Sequence, residues 1–321
     1  MTAADPIGWG SVTGSAIRPP ADMVGGVYTK ERPDWTIEEL IEAKQGRTIS
    51  VALPALDEEK SVAGVLDTIR PLVGSLVDEL IVLDSGSTDA TAEVATAAGA
   101  TVVSREEAIP GLPPVPGKGE ALWRAVAATS GDLIVFIDSD LIDPSPMFVP
   151  NLLGPLLTID GIHLVKGYYR RPMAAGEAHT GGRVTELAAR PLLAALRPEL
   201  TSVIQPLGGE YAGTRELLTS VPFAPGYGVE IGLLIDTYEQ FGIDAIGQVN
   251  LGVRKHRNRP LNELGAMSRQ VVGTLLSRCG IDDSGAGLVQ FLPDGDGFSP
   301  KVTEVSLLDR PALGRGPHPV D

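Results

Sequence analysis

The sequence predicts an α/β fold, a Rossmann-like, mostly parallel sheet with flanking helices, continued by a C-terminal extension. Three observations carry this. The run Leu133-Ile134-Val135-Phe136-Ile137 is apolar throughout, as a strand covered on both faces of a parallel sheet must be. It stops at Asp138-Ser139-Asp140, so its acids fall at the carboxyl edge, where open α/β sheets place their ligands. Strand-like and helix-like periods also alternate singly through the first half of the chain, which implies parallel pairing through right-handed crossovers.

In chain order, residues 1–35 are rich in Gly, Pro and small polar residues and read as a flexible arm docked by Trp35. Residues 36–160 form a nucleotide-binding half. Its elements are helix Thr36–Gln45, strand Thr48–Pro54, helix Asp57–Leu72, strand Glu79–Leu83, helix Ala90–Ala98, a short strand Thr101–Val103, a helix opened by Gly117-Lys118-Gly119, strand Asp132–Ile137 and helix Phe148–Leu157. Residues 161–281 are less regular, with strand Ile162–Tyr169, helix Val184–Leu196, a short strand Glu210–Ala212, helix Val229–Phe241, strand Ala245–Val253 and helix Ala266–Cys279. The apolar side of that last helix, Met267, Val271, Leu275 and Leu276, reads as core or as a dimer face. From 282 to 321 Gly, Pro and Asp dominate, giving a flexible acidic tail.

With 321 residues and 43% hydrophobic content, the chain can bury one large domain, or one domain with a smaller extension. Its 41 acids against 26 Lys and Arg argue against a nucleic-acid or anionic-membrane surface, and they make any local basic cluster informative. Cys279 is the only cysteine, which rules out an intrachain disulfide and fits a reducing cytoplasm. The first residues lack the basic-then-apolar order of a secretory signal, and no apolar run approaches the ~20 residues of a membrane span.

Three strand ends in the first half are polar: Pro54-Ala55-Leu56-Asp57-Glu58, Asp84-Ser85-Gly86-Ser87 and Asp138-Ser139-Asp140. Adjacent parallel strands would bring them to one edge, where acids and hydroxyls can hold a nucleoside. Aspartates at i and i+2 past a strand end can share a hard divalent cation, which takes phosphate oxygens to complete its shell. The plainer readings are helix N-caps for Asp57 and Ser87, a turn for Asp84 and a solvated strand end for the aspartate pair. Lys118, between glycines at a helix start, suits a phosphate, though it also reads as an ordinary surface lysine.

Arg254-Lys255-His256-Arg257-Asn258-Arg259 is the densest basic run in this acidic chain. Its guanidinium groups suit phosphate or carboxylate, and His256 could complete a metal shell begun by Asp140; a solvated loop with a stray histidine is the bland alternative. Gly181-Gly182-Arg183-Val184-Thr185 before a helix makes a second anion site, or else a turn capped by Thr185. Glu230 opens a helix after an aromatic-glycine loop, either stabilising the helix start or meeting a sugar.

Taken in order, Leu53-Pro54-Ala55-Leu56-Asp57-Glu58-Glu59, Leu83-Asp84-Ser85-Gly86-Ser87-Thr88-Asp89, Gly117-Lys118-Gly119 and Asp138-Ser139-Asp140 resemble the GT-A glycosyltransferases, which use nucleotide sugars. With Gly182-Arg183-Val184-Thr185, Tyr227-Gly228-Val229-Glu230 and Arg254 to Arg259 added, the chain is similar to the actinobacterial branch that glucosylates 3-phosphoglycerate, over residues 30 to 295 or so. The resemblance implies a retaining transfer from UDP-glucose to the 2-hydroxyl of 3-phosphoglycerate, opening methylglucose lipopolysaccharide synthesis. It makes residues 36–160 the nucleotide-sugar-binding half and 161–281 the acceptor-binding and metal-completing half. It implies Mg²⁺ or Mn²⁺ on Asp140 and His256, with Asp140 and Glu230 as the catalytic pair and a homodimer as the assembly.

By the same resemblance, UDP-glucose would meet Pro54, Ala55, Leu56, Asp57, Glu58, Ser85, Lys118, Asp138 and Ser139. Tyr227, Gly228, Val229, Glu230, Arg254, Lys255, His256, Arg257, Asn258 and Arg259 would close around its sugar and diphosphate. Gly182, Arg183, Val184, Thr185 and Asn258 would hold the acceptor. Asp57 departs from the family pattern, standing where many relatives have Asn. Two other classes compete. Asp-x-Asp after an apolar strand also opens the haloacid-dehalogenase phosphatases, but that family expects a hydroxyl residue where Ile142 stands and places its pair near the first strand. A catalytically idle sugar-nucleotide sensor would bind the donor and never turn it over.

Overall fold

Nine strands among the described residues join in one sheet, in a computed structural model that describes residues 23–170, 182–254 and 260–314. The described residues open with β1 (Met23–Val24), β2 (Val27–Lys30) and α1 (Ile37–Lys44). Then follow β3 (Ile49–Ala55), α2 (Val62–Ile69), β4 (Glu79–Asp84), α3 (Thr91–Ala97), β5 (Thr101–Ser104), α4 (Arg105–Ala108), α5 (Lys118–Ala128), β6 (Leu133–Phe136) and α6 (Phe148–Thr158). The second half adds β7 (Leu164–Arg170), α7 (Arg190–Leu196), β8 (Tyr211–Thr214), α8 (Arg215–Ser220), α9 (Val229–Phe241), β9 (Ile246–Val253) and α10 (Leu261–Arg278). A separate hairpin of β10 (Leu288–Asp294) and β11 (Gly297–Thr303) comes last.

The sheet order is β1-β2-β9-β7-β8-β6-β3-β4-β5. β3, β4, β5 and β6 pair in parallel, and β7 pairs in parallel with β9. β8 runs antiparallel to both β6 and β7 and joins the two halves into one sheet. Alternation of side chains divides the core into two layers. Val51, Leu53, Leu133 and Val135 face one cluster with α1, α2, α3 and α6, while Ala52, Ile134 and Phe136 face another with α5, α8, α9 and α10. Burial on both faces explains why these strands read as unbroken apolar runs.

The fold departs from the sequence reading at both ends. Residues 1–22 lie outside the described residues, but 23–35 are not a loose arm. Val27 is fully buried, β2 pairs with β9, and a Cβ on Gly154 would lie 2.5 Å from the Trp35 ring, so the glycine makes room for the docked indole. Past 282, residues 288–303 form the hairpin, and Phe223 exchanges two backbone hydrogen bonds with Arg310. The tail's Gly- and Asp-rich composition hid this order, because the contacts that fix it are long-range. Residues 315–321 lie outside the described residues.

Candidate active site

The antiparallel β8 has a specific consequence for the carboxyl edge. Tyr211 at its start lies opposite Phe136 at the end of β6, so Glu210 arrives at the same rim as Asp138 and Asp140. Arg254 follows β9 and is held there by its backbone bond to Arg170 at the end of β7. Three strands thus deliver charged groups to one place.

Asp138 is the hub of that cluster. Its Oδ1 accepts from Lys118 Nζ at 2.8 Å and its Oδ2 accepts from Arg254 Nη2 at 2.7 Å. Burial alone would raise its pKa, but the two cations outweigh it and hold the carboxyl well below the usual carboxylate range. Lys118 also reaches Glu230 Oε1 at 2.9 Å, and these two carboxylates keep its ammonium charged against the cost of burial. Arg254, 7% exposed, further reaches Glu210 Oε1 at 2.9 Å and Asp140 Oδ1 at 3.5 Å, donates to Tyr169 Oη at 3.1 Å and stacks over that ring.

Glycines make these approaches possible. A Cβ on Gly209 would lie 2.4 Å from Asp138 Oδ2, and one on Gly119 would lie 2.0 Å from the Ala224 carbonyl oxygen. The Gly117-Lys118-Gly119 signature therefore serves helix-to-loop packing. It lets α5 sit against the 224–228 loop, and so sets Lys118 beside Glu230.

Glu210 and Lys166 were not expected in the site from sequence. Glu210 is fully buried, neither of its oxygens has an aligned hydrogen-bond donor among the described residues, and burial pushes its pKa up to about 7 although Arg254 pulls the other way. Lys166 is buried over the Tyr211 ring and donates to the Gly208 carbonyl at 2.6 Å; burial pushes its pKa down to about 8, with Glu230 opposing. Because Glu210 binds protons more tightly folded than unfolded, it makes stability fall as pH rises from its ordinary value, near 4.5, to about 7. Glu210→Gln is expected to flatten that slope, as thermal melts across this pH range would register; an unchanged slope would contradict the assignment.

The first two strand-end loops are laced to each other. Asp57 N–H donates to Ser87 Oγ at 3.0 Å, Thr88 N–H donates to Asp57 Oδ1 at 2.7 Å, and Glu58 N–H donates to Thr91 Oγ1 at 2.7 Å. Neither Asp57 nor Ser87 is a helix N-cap, since α2 begins only at Val62 and the N-cap position of α3 is Ala90. Asp57 sits at φ 55°, a left-handed backbone that Asp and Asn tolerate, and its carboxylate is committed to Thr88. Asp84 closes its own turn by accepting from the Gly86 and Ser87 amides. Ser139 donates to the Pro54 carbonyl at 2.8 Å and Ser85 N–H to the Ala55 carbonyl at 2.8 Å, so the three strand ends form one rim. Leu56 stands exposed on it.

Tyr227 N–H is held by Gln270 of α10 at 2.9 Å, and Gly228 lies so close to Thr274 that a Cβ would meet its hydroxyl at 2.0 Å. α10 thus backs the segment leading through Val229 to Glu230. Gly182 to Thr185 open a π-helical turn, Thr185–Ala189; Thr185 lies inside it and Val184 occupies the N-cap position. Single π-turns recur at functional sites. Lys255, His256, Arg257, Asn258 and Arg259 lie outside the described residues.

Asp140 contrasts with its neighbours. Its side chain is 42% exposed and its one described ion-pair contact is the 3.5 Å approach of Arg254. A half-open carboxylate at a strand end is a suitable oxygen ligand for Mg²⁺ or Mn²⁺, while Asp138, saturated by two cations, is not. Among the described residues no three His, Cys, Asp or Glu side chains form a ready metal cage. His256, the second predicted ligand, lies outside them.

A mixed sheet ending in an Asp-x-Asp rim with an open carboxylate is the arrangement of a nucleotide-sugar transferase, and residues 50–226 match Glycosyl transferase family 2, to which the chain belongs. The glucosyl-3-phosphoglycerate synthase of Mycolicibacterium smegmatis is 71% identical over 289 residues, covering 89% of this chain and 95% of the relative. The glucosyl-3-phosphoglycerate synthase of Mycobacterium tuberculosis, in crystals with Mn²⁺, UDP-glucose and phosphoglyceric acid, superposes with a TM-score of 0.83 at 67% identity, covering 89% of this chain and 97% of that one. The same enzyme with Mg²⁺ and UDP gives a TM-score of 0.83 at 68% identity, with coverage of 89% and 97%. Within family 2, the chain is a member of the glucosyl-3-phosphoglycerate synthases.

Proposed function

We infer that the chain is a metal-dependent hexosyltransferase that moves glucose from UDP-glucose to the 2-hydroxyl of 3-phosphoglycerate, with retention at the anomeric carbon. The observation that carries this is the division of labour at the strand ends. Asp138 is locked between Lys118 and Arg254, and Asp140 beside it stays open. That is what a site needs if one acid organises the pocket and the next meets a cation on a diphosphate. The substrates follow from likeness to the tuberculosis enzyme crystallised with both.

In this reading Asp140 and His256 hold Mg²⁺ or Mn²⁺, which when bound neutralises charge on the departing UDP. The rim of Pro54 to Glu58, Ser85 and Ser139 receives the nucleoside. Asp138 fixes Arg254, the first residue of the basic run, so that its guanidinium is preorganised for phosphate. Lys118 fixes Glu230 at the start of α9, where its carboxylate can hydrogen-bond the sugar or the acceptor hydroxyl. Gly182 to Thr185 with Asn258 take the acceptor anion. Asp138 and Glu230 are both engaged by cations, which weakens either as a nucleophile. Retention then comes from attack on the leaving-group face, without a covalent sugar-enzyme adduct.

Incubation with UDP-glucose, Mg²⁺ and 3-phosphoglycerate is expected to release UDP in step with glucosyl-3-phosphoglycerate, measured by coupled UDP assay and mass spectrometry. UDP-glucose binding without acceptor-dependent UDP release would favour the idle sensor.

A homodimer is favoured by the outer face of the β10–β11 hairpin, where the cross-strand pairs Val289 with Val302, Phe291 with Pro300 and Pro293 with Phe298 are exposed and apolar. A cytoplasmic setting suits the single Cys279, and among the described residues no helix is long and apolar enough to cross a membrane. Supply of methylglucose lipopolysaccharide synthesis is the pathway role proposed for the product, on the motif resemblance alone.

A further inference from the structure

The Lys118–Glu230 ion pair depends on two elements meeting, the start of α5 and the 223–230 segment. One residue from far along the chain grips both. Arg310 exchanges backbone hydrogen bonds with Phe223, at 3.0 and 2.9 Å, immediately before the loop that leads to Glu230. Its side chain reaches the other way. Nη2 donates to Glu120 Oε1 at 2.9 Å, Nε pairs with Glu120 Oε2, and the guanidinium lies over the Trp123 ring at 5.3 Å. Glu120 stands two residues past Lys118 on α5 and is 3% exposed.

The neighbouring residues extend the grip. Trp123 donates its indole N–H to the Pro311 carbonyl at 2.8 Å. Asp309 accepts from Arg278 of α10 at 2.6 Å, and Arg278 in turn donates to Asp236 of α9 at 2.7 Å. Leu307 packs where a Cβ on Gly273 would lie 2.5 Å from its methyl. The segment 307–311 therefore touches α5 and α10 and is linked to α9 through Arg278, and these helices carry or back Lys118, Glu230 and Tyr227.

We propose that Arg310 is a positioning residue for glucosyl transfer, setting the distance between Lys118 and Glu230 by bridging α5 to the Phe223 segment, with Asp309 as its support on α10 and, through Arg278, on α9. A positioning error of about 1 Å at a reacting group can cost as much as a hundredfold in rate. The bidentate and stacked contacts of Arg310 are ones a lysine reproduces only in part.

The proposal rests on the glucosyltransferase reading, whose own control is turnover by the unmodified protein. Wild type, Arg310→Ala and Arg310→Lys would be compared at 25 °C, each shown to be folded by circular dichroism, with kcat and KM measured separately for UDP-glucose and 3-phosphoglycerate. Arg310→Ala is expected to lose at least about tenfold in kcat, with KM for 3-phosphoglycerate little changed and Arg310→Lys recovering part of the loss. A folded Arg310→Ala with wild-type kinetics overturns the proposal, whatever its melting temperature, because a merely structural strap would move only the latter. Should Arg310→Ala not fold, Arg310→Lys and Asp309→Asn decide, and wild-type kcat in both overturns it. An inactive wild type would instead sink the functional reading.

Discussion

Asp138→Ala is expected to lower kcat/KM by about three orders of magnitude and the melting temperature by roughly 10 °C. Asp138 is the shared partner of Lys118 and Arg254, both largely buried. Removing one member of a buried ion pair costs about 3–5 kcal/mol, because the remaining charge stays buried without its partner. For a chain of this size each kcal/mol shifts the melting temperature by roughly 2–4 °C. The same energy at the barrier corresponds to about a thousandfold in rate. Residual contacts decide how the loss divides: Lys118 keeps Glu230, and Arg254 keeps Glu210. The folded pKa of Asp138 is depressed, so its stabilisation is present at neutral pH and is lost only as acid takes the pH below the ordinary carboxylate range. UDP release and thermal scans of the variant would check both effects; near-normal turnover would show that the hub is structural alone.

Asp140→Ala is expected to behave differently. Metal-dependent UDP release should fall by about a thousandfold, since charge neutralisation by a bound cation contributes several kcal/mol to such a barrier. Stability should stay within about 0.5 kcal/mol of wild type, because the side chain is 42% exposed and its one ion-pair contact among the described residues is Arg254, at 3.5 Å. Two aspartates separated by one residue thus separate into opposite phenotypes, one losing fold and rate together and the other losing rate alone. Kinetics with Mg²⁺ and Mn²⁺ beside a thermal melt would distinguish them, and a destabilised Asp140→Ala would contradict its open position.

Much of this edge was legible in the sequence because the signals are local. The apolar run before Asp138, the polar ends of β3 and β4 and the basic run from Arg254 each announce a strand end within a few residues. Their convergence follows from parallel pairing. Two features were hidden for physical reasons. Glu210 stands just before the short strand β8, and only the antiparallel direction of β8 turns its beginning toward the site; a parallel strand would have carried it to the far edge. Of the glycines around Lys118, which suggest a ligand approach, Gly119 accommodates the Ala224 carbonyl, a contact about a hundred residues away in the chain that no local pattern records. The roles of Asp57 and Ser87 were likewise non-local, since each serves the other's loop. Arg310 in the tail gave no sequence signal at all, because its partners Glu120 and Phe223 are distant along the chain.

The most direct test is phosphorus NMR of UDP with substoichiometric Mn²⁺, comparing wild type with Asp140→Ala. Strong paramagnetic broadening of the bound diphosphate resonances in the wild type, lost in the variant while UDP still binds through the rim, is the expected result. Equal broadening in both proteins would mean that the cation on the diphosphate is not held at Asp140, and would contradict the assignment of this strand end as the catalytic edge.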